Sequence, residues 1–290
     1  MHRRLLIIIF VFFIIAANSY SKEVPQRIVS ISPNLTQVIF GLGAGENIVG
    51  VTIYDEYPKE VVDLPKIGGW VNPNYEAVLA LKPDLVVLMK DQDNIFGQKL
   101  RDLGLNTFTA NSNDSIQDIL ETISDMGRIL DKTKEAKSLS LYVESNLEEI
   151  REKTKNVDKK RVLIVVGRNP GTLEDIYVIG TNNYIDELVT LSGGSNVVEH
   201  ERNALKISKE SVLNYNPEVI VEINHEKVDR EEEILEIWSD ITQVDAVKNN
   251  QVYVLSSKVL LHPSQRIVEG AKVLTEVIHP ELTKKYGNNN

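Results

Sequence analysis

From Arg27 onward the chain alternates short β-branched runs with helical patterns: RIVSIS, LTQVIFGLG, NIVGVT, NYEAVLAL, LVVLM, FGQKLRDLG and NTFTA follow one another. About ten residues separate one strand-like run from the next, the spacing of parallel βα units rather than of an antiparallel sandwich. Ile116, Ile119, Leu120, Ile123, Met126, Ile129 and Leu130 then recur at helical intervals and predict an amphipathic helix. A second series, Ala136, Leu139, Val143, Leu147 and Ile150, runs into the lysine-rich EKTKNVDKK, whose Glu/Lys pairs predict a long, partly exposed helix. RVLIVV opens a new alternation, through YIDELVTLSGG, KESVLNYN, EVIVEI, EEILEIWSDI and QVYVL, to a last helix beginning near Ser264. The pattern predicts an α/β protein of two lobes, residues 22–130 and 159–290, with residues 131–158 forming a rigid helical spine between them.

One stretch is said twice. NPNYEAVLALKPDLVVL, from Asn72 to Leu88, returns as ISKESVLNYNPEVIVE, from Ile207 to Glu222. Glu76 and Glu210 stand 134 positions apart, and so do Leu79 and Leu213, Pro83 and Pro217, and Asp84 and Glu218. Upstream, GAGENIV is echoed by GGSNVV, which sets Asn47 and Asn196 149 positions apart. The lobes therefore read as two copies of one plan, with 15 extra residues between these landmarks in the first copy. The region that contains the insertion, VTIYDEYPKEVVDLPKIGGWV, gathers Tyr54, Tyr57 and Trp70 among prolines and glycines in a chain that is only 6% aromatic. Tyr and Trp offer large flat apolar contact with one polar atom to orient a ligand, so an aromatic group in one irregular loop predicts a wall of a ligand cleft. Capping of the lobe's own core is the competing role for Tyr57 or Trp70 taken singly.

Composition narrows the partners. His2, Arg3 and Arg4 precede 13 unbroken apolar residues, Leu5 to Ala17, and small residues follow at Ser19 and Ser21. This is the layout of a secretory signal peptide, residues 1–21, and the run is shorter than the roughly 20 residues of a spanning helix. The chain has no cysteine, which removes both a disulfide framework and a cysteine-linked lipid anchor. A freely soluble protein of a cell envelope is expected, most simply of a bacterial periplasm, and a monomer is the expected state. Loss of Arg3 and Arg4 would take the formal charge from −10 to −12, and no long basic block remains, so nucleic acid is not an expected partner. Gly41, Gly43 and Gly45 lack phosphate-loop spacing and read as a helix end and turn. No nucleophile elbow is present, and His200, His225, His262 and His279 are scattered. No catalytic residue, protein-held metal or resident cofactor is expected.

RIVSISPNLTQVIFGLGAGENIVGV, the Tyr57–Pro58 step, LPKIGGWVNPNYEAVLALKPDLVV, ISKESVLNYNPEVIV and PSQRIVEGAKVL together resemble the helical-backbone class of ABC-importer substrate-binding proteins, which carry vitamin B12, ferric siderophores or haem. The likeness covers essentially the whole chain after the leader. It implies two Rossmann-like α/β lobes joined by one long helix, a ligand cleft between them, and delivery to a membrane permease and its ATPase. It also implies that Glu76 and Glu210, one on each lobe, dock into the permease. Without it, each glutamate is explained by its place in the first turn of a helix, where negative charge gains about 0.3–1 kcal/mol from the helix dipole. Among the class, Tyr54 and Trp70 match cleft positions of cobalamin binders, and Arg266 of the PSQRI motif is expected to reach the cleft. Cobalamin would bring its own cobalt. A ferric siderophore or haem is the alternative cargo, and an envelope enzyme or sensor domain on the same lobes the alternative of a different class. ERNALKI, His262, Ser264 and Gln265 depart from the pattern usual in cobalamin binders.

Overall fold

The apolar runs of the first half form a parallel sheet. The computed structural model describes residues 24–112, 114–201, 204–224 and 231–283; the leader, residues 1–21, and His225 lie outside them. In the first lobe the order is β1 (Ile28–Ser30), α1 (Pro33–Gly41), β2 (Ile48–Gly50), α2 (Tyr75–Ala80) and β3 (Leu85–Met89). Then come α3 (Lys90–Gln92), a π-helical turn (Asp93–Gly97), α4 (Gln98–Asp102), β4 (Thr107–Ala110) and α5 (Ile116–Ile129). The four strands pair in the order β2-β1-β3-β4, all parallel. Helix α1 ends in a turn whose Gly43 has a φ of 71°, which is the role read for the glycines there.

The spine is α6 (Thr133–Thr154), 22 residues and therefore about 33 Å long at 1.5 Å per residue. Its buried stripe, Ala136, Val143, Leu147, Ile150 and Thr154, keeps helical spacing, while Lys153 pairs with Glu149 on the outer face at 2.6 Å. Helices α5 and α6 approach closely at Gly127, where a Cβ would stand 2.3 Å from that of Ala136. Any larger residue there would force the two helices apart.

The second lobe contains β5 (Lys160–Gly167), β6 (Ile176–Val178), α7 (Tyr184–Leu191), β7 (Gly194–Asn196), β8 (Leu205–Ile207), α8 (Lys209–Tyr215) and β9 (Val219–Asn224). It continues with α9 (Glu231–Trp238), α10 (Asp245–Lys248), β10 (Val252–Ser256), α11 (Ser257–Leu260), α12 (Ile267–Ile278) and α13 (Pro280–Thr283). Its sheet runs β10-β9-β5-β6-β8, with β7 also on β5. Strands β5, β7, β9 and β10 repeat the parallel plan of the first lobe, whereas β6 and β8 are an antiparallel addition. Each of these two is only three residues long, too short to leave a period in the sequence.

The duplication extends to individual hydrogen bonds. Ile28, Val29 and Ser30 pair with Leu85, Val86 and Val87; Val162, Leu163 and Ile164 pair with Val219, Ile220 and Val221, every partner displaced by the same 134 positions. The backbone N–H of Arg27 donates to the Asp84 carboxylate at 3.0 Å, and that of Arg161 to Glu218 at 2.9 Å. The Arg27 guanidinium donates to the carbonyl of Leu81 at the end of α2, and that of Arg161 to the carbonyl of Tyr215 at the end of α8. Cations there satisfy helix-terminal carbonyls that have no partner within the helix. These clasps explain the acid that follows each helix.

One apolar core runs from α1 and the inner face of the first sheet through α5 and α6 to α7, α12 and the inner face of the second sheet. Each sheet has a separate core on its outer face. The lobes thus share packed volume along the spine.

Candidate functional site

Parallel α/β sheets collect ligands outside the carboxyl ends of their strands, where the strand order reverses. In the first sheet that point lies between β1 and β3. A cavity of about 640 Å³ opens there, lined by Ser32 and Asn34 at the start of α1 and by Met89 and Asp91 after β3. The second lobe contributes Tyr184, Lys258 and His262 to the same cavity. Its size falls within the roughly 300–1,000 Å³ typical of small-molecule and cofactor sites.

Tyr54 and Trp70 both line the cavity, and both come from the loop that the second lobe lacks. The ends of this loop are zipped together: Ile67 N–H donates to Val51 O at 2.9 Å and Ile53 N–H to Gly68 O at 3.0 Å. Gly68 has a φ of 100°, and a Cβ on it would stand 2.9 Å from backbone atoms of Asn72 and Asn74, so the turn into Trp70 needs glycine. Ile53 and Tyr54 remain 55% and 54% exposed. Apolar side chains held out by an anchored loop mark a surface meant to be covered.

The loop is floored by Asp55, which is buried and accepts from the backbone N–H of Thr52 at 2.9 Å and from its hydroxyl at 2.5 Å. Burial pushes the Asp55 carboxyl above its ordinary value, against the hydrogen bonds of Thr36 and Thr52 and the charge of Lys66. An acid whose folded pKa is raised binds more protons when folded, so its contribution to stability falls as pH rises from 3.8 through the folded value. Asp55→Asn has no such ionisation. Denaturant unfolding of both proteins from pH 4 to pH 7 is expected to favour the variant progressively over wild type; a pH-independent difference would show that Asp55 titrates as in an unfolded chain.

Several side chains join the lobes around the cavity. Gln37, buried in α1, accepts from Ser264 Oγ at 2.6 Å through Oε1 and from Gln265 Nε2 at 2.9 Å through its backbone carbonyl. Its Nε2 stands 3.5 Å from His262 Nδ1. Ser264 and Gln265, the departures noted in the sequence, are thus the residues that fasten the second lobe to α1. Lys258 and Glu56, which both line the cavity, are ion-paired. Arg266 does not line the cavity. Its guanidinium lies over the Tyr57 ring, 4.0 Å from the centroid, and its Nε is 3.0 Å from the Glu269 carboxylate. These two partners occupy the side chain, which serves as a strut between the loop and the second lobe.

Glu76 and Glu210 do not line the cavity; both are exposed, each at the second position of its helix. The caps are matched: Asn74 accepts from the N–H of Ala77, and Ser208 from that of Ser211. The Ser208 hydroxyl and a backbone N–H hold the Glu210 carboxyl below its ordinary value, so it is a settled anion at neutral pH. His279 is buried, with Nε2 3.0 Å from Gly193 O and Nδ1 2.6 Å from Glu281. Among the described residues no three acidic or imidazole side chains are grouped to hold a metal ion, and no helix is long and apolar enough to cross a membrane.

Residues 28–259 match the family model described as periplasmic binding protein. An uncharacterized ABC transporter substrate-binding lipoprotein of Bacillus subtilis, YvrC, is 31% identical over 91% of this chain and 83% of its own length. The vitamin B12-binding protein of Vibrio campbellii is 23% identical over 89% of this chain and 90% of its own. Among solved structures, a possible iron-binding periplasmic solute-binding protein of Staphylococcus epidermidis superposes with a TM-score of 0.76 at 27% identity, covering 89% of this chain and all of the other.

Proposed function

The chain belongs to the periplasmic binding protein family, and from that membership and its cavity we propose that it captures a corrinoid of the vitamin B12 class outside the cytoplasm and delivers it to an ABC permease with its ATPase. It is a carrier, not an enzyme. The observation that carries the corrinoid reading is the aromatic wall. Tyr54 and Trp70 stand on a loop anchored at both ends and face a cavity of about 640 Å³. A corrin offers a broad flat face for such rings, while its amide fringe needs only scattered polar partners of the kind Ser32, Asn34 and His262 provide. Residues 1–21 are read as the export signal. One protomer presents Glu76 and Glu210 to the two halves of a twofold permease.

A ferric chelate or haem is the second reading, favoured by the Staphylococcus epidermidis relative. Anionic ferric ligands attract convergent cations, yet among the described residues Lys258 is the lining amine and Glu56 already neutralises it. Titration of the purified protein with cyanocobalamin, cobinamide, haemin and ferric siderophores, followed by tryptophan fluorescence and absorbance, is expected to show saturable binding of corrinoids alone. Tight binding of a ferric siderophore or haemin with no response to corrinoids would sink the proposal.

A further inference from the structure

We propose that Gln92 is the positioning residue that fixes the Trp70 wall of the cavity, an inference that rests on reading Trp70 as a ligand contact. Gln92 is completely buried, yet it lies outside the cavity lining. Its carboxamide is fully used by three different segments. Oε1 accepts the backbone N–H of Met89 at 2.8 Å, at the end of β3. Nε2 donates to Ile31 O at 2.7 Å, just past β1, and to Trp70 O at 2.8 Å.

Met89 and Ile31 mark the two strand ends between which the cavity opens, so one side chain registers the aromatic residue against the sheet's switch point. The loop's zipper stops at Gly68, two residues before Trp70, and Gln92 continues the anchoring from there. A π-helical turn begins at the next residue, Asp93. Such turns are inserted into helices frequently at functional sites, and here it follows directly on the residue that must aim its amide into the sheet. A side chain held in its bound position loses less freedom when the ligand arrives, which is the gain from this arrangement.

Substitution can remove the two donors without removing volume. In Gln92→Glu the carboxylate still accepts from Met89 but sets lone pairs against Ile31 O and Trp70 O. Burial raises the pKa of such an acid, and protonation returns one donor. The protein has two tryptophans, Trp70 at the cavity and Trp238 wholly buried in the second lobe with Nε1 bonded to Glu222 at 2.6 Å. Labelling with 5-fluorotryptophan therefore gives two 19F resonances, assigned with Trp70→Phe and read with no ligand present. At pH 8, Gln92→Glu is expected to shift or broaden the Trp70 resonance by more than its linewidth and leave that of Trp238 in place; lowering the pH to 5 should move it back toward wild type. Gln92→Met should show the displacement without the recovery, and wild type at both pH values controls for every other ionisable group. Affinity for cyanocobalamin should fall about tenfold in Gln92→Met. A Trp70 resonance unchanged in both variants, or equal displacement of both tryptophans, would overturn the assignment. Failure of the wild-type protein to bind corrinoids would instead count against the function proposed above, since the resonance test needs no ligand.

Discussion

Replacing Glu76 and Glu210 together by alanine is expected to abolish import while leaving ligand binding by the purified protein unchanged. Both side chains are exposed on short helices and neither belongs to the cavity lining, so neither is expected to touch a ligand there. Their folding role is small: a first-turn carboxylate contributes about 0.3–1 kcal/mol through the helix dipole, and the caps at Asn74 and Ser208 remain in the double variant. What the pair offers is symmetry. Strand register, helix caps and arginine clasps repeat at the same displacement of 134 positions, which presents the two carboxylates in equivalent local frames. A twofold permease can meet such a surface with one arginine-lined pocket used twice. Exposed ion pairs are worth about 0–1 kcal/mol, but charge pairs desolvated at an interface couple by roughly 1.5–7 kcal/mol. Loss of both should thus cost several orders of magnitude in docking, and each single replacement should leave partial transport. Uptake in cells depleted of the native protein, with titration of the purified variants, checks this. Equal loss of ligand affinity in the double variant would place the glutamates in the binding step and reject docking.

The duplication was legible because its signals are local. A glutamate in a helix start, a Pro-acid step and an apolar strand fit within about 16 residues, and their physical causes, dipole, clasp and core, all act within one βα unit. The long spine was legible for the same reason, as Val143, Leu147 and Ile150 state its buried face directly. The cavity's aromatic loop emerged by subtraction, from the unequal spacing of the two copies. The remaining site residues depend on partners distant in sequence. Gln37 acts through Ser264 and Gln265, Gln92 through Ile31 and Trp70, and Glu56 through Lys258. A lone glutamine within a helical pattern carries no mark of such a partner. Arg266 shows the converse hazard: a motif places the residue near the cleft, but the aromatic ring and carboxylate within reach decide where its charge is used.

Trp70→Ala is expected to weaken corrinoid binding by about 100-fold or more, near the 2–4 kcal/mol cost of removing a central aromatic anchor. Trp70 lines the cavity with its backbone carbonyl already fixed by Gln92, so truncation leaves a hole that the anchored loop cannot collapse to fill. Tyr54 stands farther out and is more than half exposed, so Tyr54→Ala should lose less. Tyr54→Phe separates its two uses: retained affinity means the ring face is the contact, and a tenfold loss means the hydroxyl meets the amide fringe. Arg266→Ala provides the contrast, since its guanidinium is spent on Tyr57 and Glu269 and its loss should slacken the strut without removing a ligand contact. Titration with cyanocobalamin gives the order directly. If Arg266→Ala cost more affinity than Trp70→Ala, the ligand would sit against the second lobe, and the loop missing from that lobe would lose its claim to be the recognition wall.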